Sequence, residues 1–443
     1  HRPAQRTDAK MTGQLEPTVI PIPDDFPIEW DPPELVHKAW FQDRMHAPAP
    51  VTPLTGWMLA NPLAQGCNRG FAAAKQPVEF EMARINTYYY GATLPAVPME
   101  QMEEAGIQGE VAIKGQITSF ANRWDNEWLP EVKSILAAWA EFDLESASDD
   151  ELIAHMQSAV EGYARLWDLH FQVAPLFLGV PSRFVELYTQ LLEPDDELEG
   201  FSLIRADHNM SLEVAYGLWD LSQKYINVLE VSEPIVNKSA TTALAELEST
   251  EPGRHFLEGL RNCLAIYGHR SDGILEVADP SWTEDPTPAL IVIRENLKPG
   301  AEDPRAIHMR FLQQRDEATS AARARLDSHS EEVRAEFEEL LTAARSGSRI
   351  QEDHNFWIDQ NSLHYMRQIF REVGNRLAER GCIERADDFA YLVPDQMQEA
   401  IANGGSYVDQ VVGDKAEMAK WASVTPPQFI GTDHGEPPDS AMG

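Results

Sequence analysis

The sequence predicts a mainly α fold: one large helical domain with a small β element near residues 78–95 and a Pro-rich N-terminal arm. Three observations predict it. Beyond about residue 130 apolar residues recur at helical spacing. "VEFEMARINTYYYGATLP" (78–95) alternates and is rich in β-favouring residues. "LEPTVIPIPDDFPIEWDPPELV" carries six prolines and no period.

Taken in order, residues 1–42 read as an extended arm along the body, with Met11 as the expected native start. A single helical domain then runs over 43–425, and 426–443 is expected to be a flexible tail. Residues 52–75 suggest a short helix with loops, and a strand pair is expected around Phe80 to Tyr90. A long helix carries the stripe Leu152, Met156, Val160, Tyr163, Leu166, Trp167 and His170, where His170 reads as a core residue. Asn209 is the expected cap of the next helix. In "PGRHFLEGLRNCLAIYG" an apolar stripe ends at Gly268, placed to accept a left-handed φ. Coil is expected over 270–302, a capping box at Ser328 and Glu331, and a long helix over 354–381 closed by Gly381.

The 443 residues carry 36 basic and 72 acidic side chains, a net charge of −36 spread over many short patches. This is a solvated acidic surface, and it disfavours nucleic acid as a partner, because phosphate backbones require clustered Lys and Arg. Cys67, Cys263 and Cys382 show no metal-ligand spacing and suit a reducing compartment. No apolar run reaches the length of a membrane span and no signal-peptide layout is present, so a cytoplasmic location is expected. GxxxxGK[ST], GxGxxG after a strand, HExxH and GxSxG are all missing. Self-contained ATP, nicotinamide, zinc or serine-hydrolase chemistry therefore has no motif, and no metal site is expected.

The densest chemistry lies in "AIYGHRSDGILEVADPSWTEDP" (265–286). Gly268 stops a helix, so His269 and Arg270 project from the first loop residues. An Arg fork there can hold an anionic oxygen, and a His is easily poised as a base. The alternative is that Arg270 pairs with Glu276, Glu284 or Asp285 to stitch the loop to the body. In "RADHNMSLE" Asp207 could orient His208. In "IQEDHNFWIDQNSLHYMR" the residues His354, Trp357, Asn361, His364 and Arg367 fall on two adjacent helical stripes, suggesting one lined pocket. Trp57, Tyr88, Tyr89, Tyr90 and Trp167 are either core or walls for an aromatic ligand.

Four stretches, "DRMHAPAPVTPLT" (43–55), "RINTYYYGA" (84–92), "YGHRSDGILEVADPSWTEDP" (267–286) and "GNRLAERGCIERADDFAYLVPDQM" (374–397), together resemble the phosphoenolpyruvate synthase-like dikinases. The similarity is to the acceptor-binding domain of rifampicin phosphotransferase and phenylphosphate synthase-type enzymes. Such enzymes join an ATP-grasp domain, a swivelling phosphohistidine domain and an acceptor domain. This sequence has no TGGxxSH-like motif and no ATP-grasp part. The resemblance therefore implies an acceptor-binding subunit of a heteromer that binds no cofactor itself, with ATP and Mg on a partner ATP-grasp/phosphohistidine subunit. It further implies phosphorylation of a phenolic hydroxyl, such as a lignin-derived hydroxyphenyl ketone or phenol, as in aromatic compound catabolism. Arg270 is then the cation for the transferring phosphoryl group, and His269, or His208 or His354, the base. Trp57, Tyr90, His354, Trp357, Asn361 and Arg367 are the expected acceptor contacts. The alternative is a non-catalytic helical ligand-binding or regulatory protein of the same fold.

Overall fold

A computed structural model describes residues 18–196 and 198–433. Most of the chain is helical, beside one five-stranded antiparallel sheet. The expected strand pair forms β3 (Val78–Ile85) and β4 (Tyr88–Pro95), joined by Asn86 and Thr87 at φ 47° and 67°. That two-residue turn needs positive φ at both positions.

The sheet reaches further than the sequence indicated. With β1 (Thr18–Val19), β2 (Ala39–Gln42) and β5 (Phe429–Asp433) the order is β1-β5-β2-β4-β3. The Pro-rich arm therefore contributes two strands, and part of the expected flexible tail is an interior strand paired on both sides. Strands of two to five residues are too short to impress a period on the sequence. They are held by Phe26, Trp40, Tyr88, Tyr90, Trp421 and Ile430, which form their own apolar cluster. The expected start at Met11 and the tail beyond 433 lie outside the described residues.

The 44-residue helix Asp149–Leu192 runs through the main core, opened by a Ser148/Glu151 capping box. The Ala64–Ala73 helix lies hard against it, because a Cβ at Gly70 would meet the Asp168 carbonyl at 2.5 Å. A second apolar cluster gathers Val231, Phe256, Leu260, Leu290 and Ile293 from helices between Met210 and Asn296. Asn209 caps Met210–Tyr225 as expected, accepting from Leu212 N at 3.0 Å.

Three local expectations are corrected. The coil at 270–302 contains the helix Thr287–Asn296, which follows Pro286 at φ −76° and carries Pro288 in its first turn. Ser330, not Ser328, caps Glu331–His354, because His329 N still bonds back to Leu326 O and Ser330 is the first extended residue. Gly268 has φ −90°, not left-handed. It is a glycine because a Cβ would meet the Leu264 carbonyl at 2.6 Å.

Glu331–His354 and Asn361–Glu379 form one rod, broken by a π turn at Asn355–Gln360 and closed by Gly381 at φ 71°. Among the described residues no helix is long and apolar enough to cross a membrane.

Candidate active site

Beyond Gly268 the chain runs irregularly to Pro286, and three anchors fix this loop. Glu276 accepts from Thr52 N (2.9 Å), Thr52 Oγ1 (2.8 Å) and Thr55 Oγ1 (2.7 Å) at the start of the Pro53–Met58 helix. Arg367 donates to both Glu284 oxygens (3.1 and 2.9 Å) and to the carbonyls of Val277 (3.1 Å) and Ala278 (2.8 Å). His364 Nδ1 meets Ser281 Oγ at 2.9 Å. The TPLT segment, the loop and the Asn361–Glu379 helix, far apart in sequence, thus converge.

Arg270 is held quite differently. Its carbonyl accepts from Trp282 N at 2.8 Å, and its guanidinium lies 4.8 Å from the Trp282 ring centroid. That guanidinium is half-buried and has no hydrogen bond or ion pair among the described residues. The three acidic partners considered for it are engaged elsewhere: Glu276 by Thr52 and Thr55, Glu284 by Arg367, and Asp285 by Thr287 N at 3.0 Å. Burial lowers its pKa, opposed by Glu352 and Asp272, yet a guanidinium stays charged at any ordinary pH.

Arg270 lines a narrow cleft with Ser271, Asp279, Ser281, Gln360 and His364, with a volume of only about 10 Å³. Gln360 Oε1 is buried there without a hydrogen-bond partner. Asp279, which sequence reasoning missed, faces the same cleft. Burial, reinforced by Glu276 and opposed by Arg367, raises its carboxyl to about 6. Gly273 makes room for it, since a Cβ there would lie 2.1 Å from Asp279 Oδ2. A cation and a carboxyl that titrates near neutrality share one opening.

His269 stands behind this pair. Its Nδ1 meets Asn361 Oδ1 at 2.8 Å and its ring stacks on His364 at 4.2 Å between centroids. Asn361 Nδ2 is committed to the Phe356 carbonyl (2.7 Å), so its oxygen faces His269 and accepts. The His269 proton is thereby placed on Nδ1, leaving Nε2 with its lone pair. Burial lowers the His269 pKa, and burial with the neighbouring His269 and Arg367 charges pushes His364 to about 3. The His364 ring is neutral at pH 7.

The single pocket expected from 354–367 is not formed. The π turn rotates the helix face between His354 and Asn361, splitting the residues that helical spacing had aligned. Asn361, His364 and Arg367 meet the loop, and Arg367 is consumed in anchoring it. His354 falls into a separate buried cluster with His170 and Asp359. Trp357 packs against Phe356, with Lys133 Nζ 4.4 Å over its ring.

Other expected contacts lie elsewhere. His208 is exposed at the start of Met210–Tyr225, its Nδ1 3.4 Å from Glu213 Oε1. Asp207 does not orient it: that carboxylate accepts from Arg315 at 2.8 Å. Tyr90 is wholly buried in the sheet and donates to the Pro427 carbonyl at 2.7 Å. Trp57 packs against the main core.

Residues 181–352, which include the loop and its cation, match the model of the rifampicin phosphotransferase fourth domain. The chain is thus similar to members of the phosphoenolpyruvate synthase-like dikinase family. It is 30% identical over 426 residues to chondramide synthase cmdD of Chondromyces crocatus, covering 93% of this chain and 11% of that protein. It is 23% identical over 287 residues to the uncharacterized phosphotransferase YvkC of Bacillus subtilis strain 168, covering 62% of this chain and 34% of the relative. Against the rifampicin phosphotransferase of the same organism it is 23% identical over 231 residues, 51% of this chain and 26% of the relative. The chain thus spans well under two thirds of each of these relatives.

Proposed function

We propose that this chain is the acceptor-binding part of a dikinase-type phosphotransferase, receiving a phosphoryl group from a phosphohistidine on a partner subunit and passing it to a phenolic hydroxyl. The observation that carries this reading is Arg270, a half-buried guanidinium without an anionic partner among the described residues, beside a carboxyl raised to about 6. Phosphoryl transfer asks the protein for position, a cation on the equatorial oxygens and a base for the acceptor proton. Arg270 supplies the cation. Asp279 is the better-placed base, since it faces the cleft, whereas His208 lies elsewhere and His354 belongs to another cluster. His269 Nε2 is the next candidate, with Asn361 fixing its tautomer.

A phenol, with a pKa near the tyrosine value of about 10, needs only a weak base. Ligand pockets are usually larger than the space beside Arg270, so acceptor entry requires the 268–286 loop to swing outward from the Asn361–Glu379 helix. ATP and Mg act on the partner in this reading.

The test mixes the purified chain with a separately produced ATP-grasp/phosphohistidine polypeptide and follows AMP release over a panel of phenols. Turnover that needs both components supports the proposal. Turnover by this chain unaided, or a phenol that raises its Tm with no AMP formed in the mixture, defeats it in favour of another enzyme or of a ligand-binding protein.

A further inference from the structure

The buried cluster that drew His354 away from the cleft is not used by the proposed phosphotransfer. It joins three elements: His170 from Asp149–Leu192, His354 from the end of Glu331–His354, and Asp359 from the π turn. One ligand atom from each lies within 4.8 Å of the others. His354 and Asp359 are buried. The walls are apolar: Phe177 stacks on His354 at 4.1 Å, and Trp167 and Phe171 flank His170.

The hydrogen bonds leave an imbalance at the centre. His354 Nδ1 faces the Ile350 carbonyl at 3.0 Å, which can only accept, so the ring proton sits on Nδ1. The His354 Nε2 lone pair then points toward Asp359 Oδ2, 3.7 Å away. Two electron-rich atoms facing each other out of water call for a positive charge between them.

The surroundings match those of histidine ligands elsewhere. A ligating His gives its second ring N–H to a carbonyl or carboxylate, as His354 does to Ile350. Asn355 Nδ2 steadies Asp359 Oδ2 at 3.3 Å. His46, half-buried and held by Asp43 at 2.7 Å, lies near Asp359.

We propose that His170, His354 and Asp359 bind one divalent transition-metal ion of the zinc class. Two imidazoles and one carboxylate favour such an ion over Mg or Ca, which prefer all-oxygen shells. Three protein ligands leave at least one position for water. His170 Nδ1 now meets Asp359 Oδ1 at 3.0 Å. For that nitrogen to bind the ion, Nδ1 must carry no proton, so the ring proton sits on Nε2 instead.

The test uses the full chain, free of any His tag, stripped with chelator and then dialysed against Zn2+ or Co2+. About one equivalent of ion retained per chain is expected, with a visible Co2+ absorption of low-symmetry nitrogen and oxygen ligation and a Tm that rises with Zn2+. Asp359→Asn and His354→Gln should remove all three effects, while His208→Gln, an exposed histidine outside the cluster, should leave them intact. If those two variants do not fold, the Co2+ spectrum and Tm of the unaltered chain decide alone. No retained ion in the folded chain overturns the proposal, as does stoichiometric binding that persists in folded Asp359→Asn.

Discussion

At the scale of single residues, the distinction that matters at the cleft is between Arg367, already spent, and Arg270, which is not. Arg367 makes four hydrogen bonds to protein acceptors, whereas the Arg270 guanidinium lies over the Trp282 ring with no hydrogen bond or ion pair among the described residues. Arg270→Ala should therefore lower phosphoryl transfer about 10²- to 10³-fold, as loss of one charge-stabilising donor does. Acceptor affinity, read by calorimetry, should change little. Asp279→Asn separates base from scaffold. If the carboxylate takes the acceptor proton, wild-type kcat/KM rises with pH through about 6 and the variant loses that limb. Stability should move the opposite way. The fold holds the Asp279 proton up to about pH 6 while the unfolded chain releases it near 3.8, so wild-type stability falls as pH rises between those values. The Tm advantage of Asp279→Asn should be absent below that window and complete above it. Arg270 was legible in the sequence because a glycine-marked helix end throws its successors into a loop. Asp279 was not, since one acid in an acidic loop carries no pattern.

At the scale of elements, the site exists because a loop without regular structure is pinned on two sides. Arg367 and Glu284 form the tie to the Asn361–Glu379 helix, with little solvent around either. Removing one partner strands the other. Arg367→Ala should cost about 3–5 kcal/mol of unfolding free energy in urea titrations, the range for breaking a buried pair. Glu284→Gln, which keeps a hydrogen-bonding oxygen, should cost distinctly less. The helices themselves were readable from spacing and caps: the stripe from Leu152 to Trp167 is buried on one face, apart from the partly exposed Val160. The π turn was not readable. Its widened turn has no residue code, and it alone decides that Asn361 and His364 meet the loop while His354 and Asp359 meet His170.

At the scale of the whole molecule, the first and last described strands pair. β5 fills the gap between β1 and β2 and buries Ile430 against Trp40 and its neighbours. A chain stopped at Gln428 should melt at lower temperature and self-associate on size exclusion, because the bare edge of β2 becomes a pairing template. The sequence by itself determined the helical class, the β3–β4 pair, the Asn209 cap and the position of Arg270, all of which rest on local spacing and local sterics. Only the tertiary structure decided which acids satisfy which arginines, where the short outer strands pair, and how two His-bearing stripes part into two sites. Those outcomes depend on contacts between residues far apart in the chain, such as Thr52 with Glu276, 224 positions on, or His170 with Asp359, 189 positions on, and no local pattern encodes them.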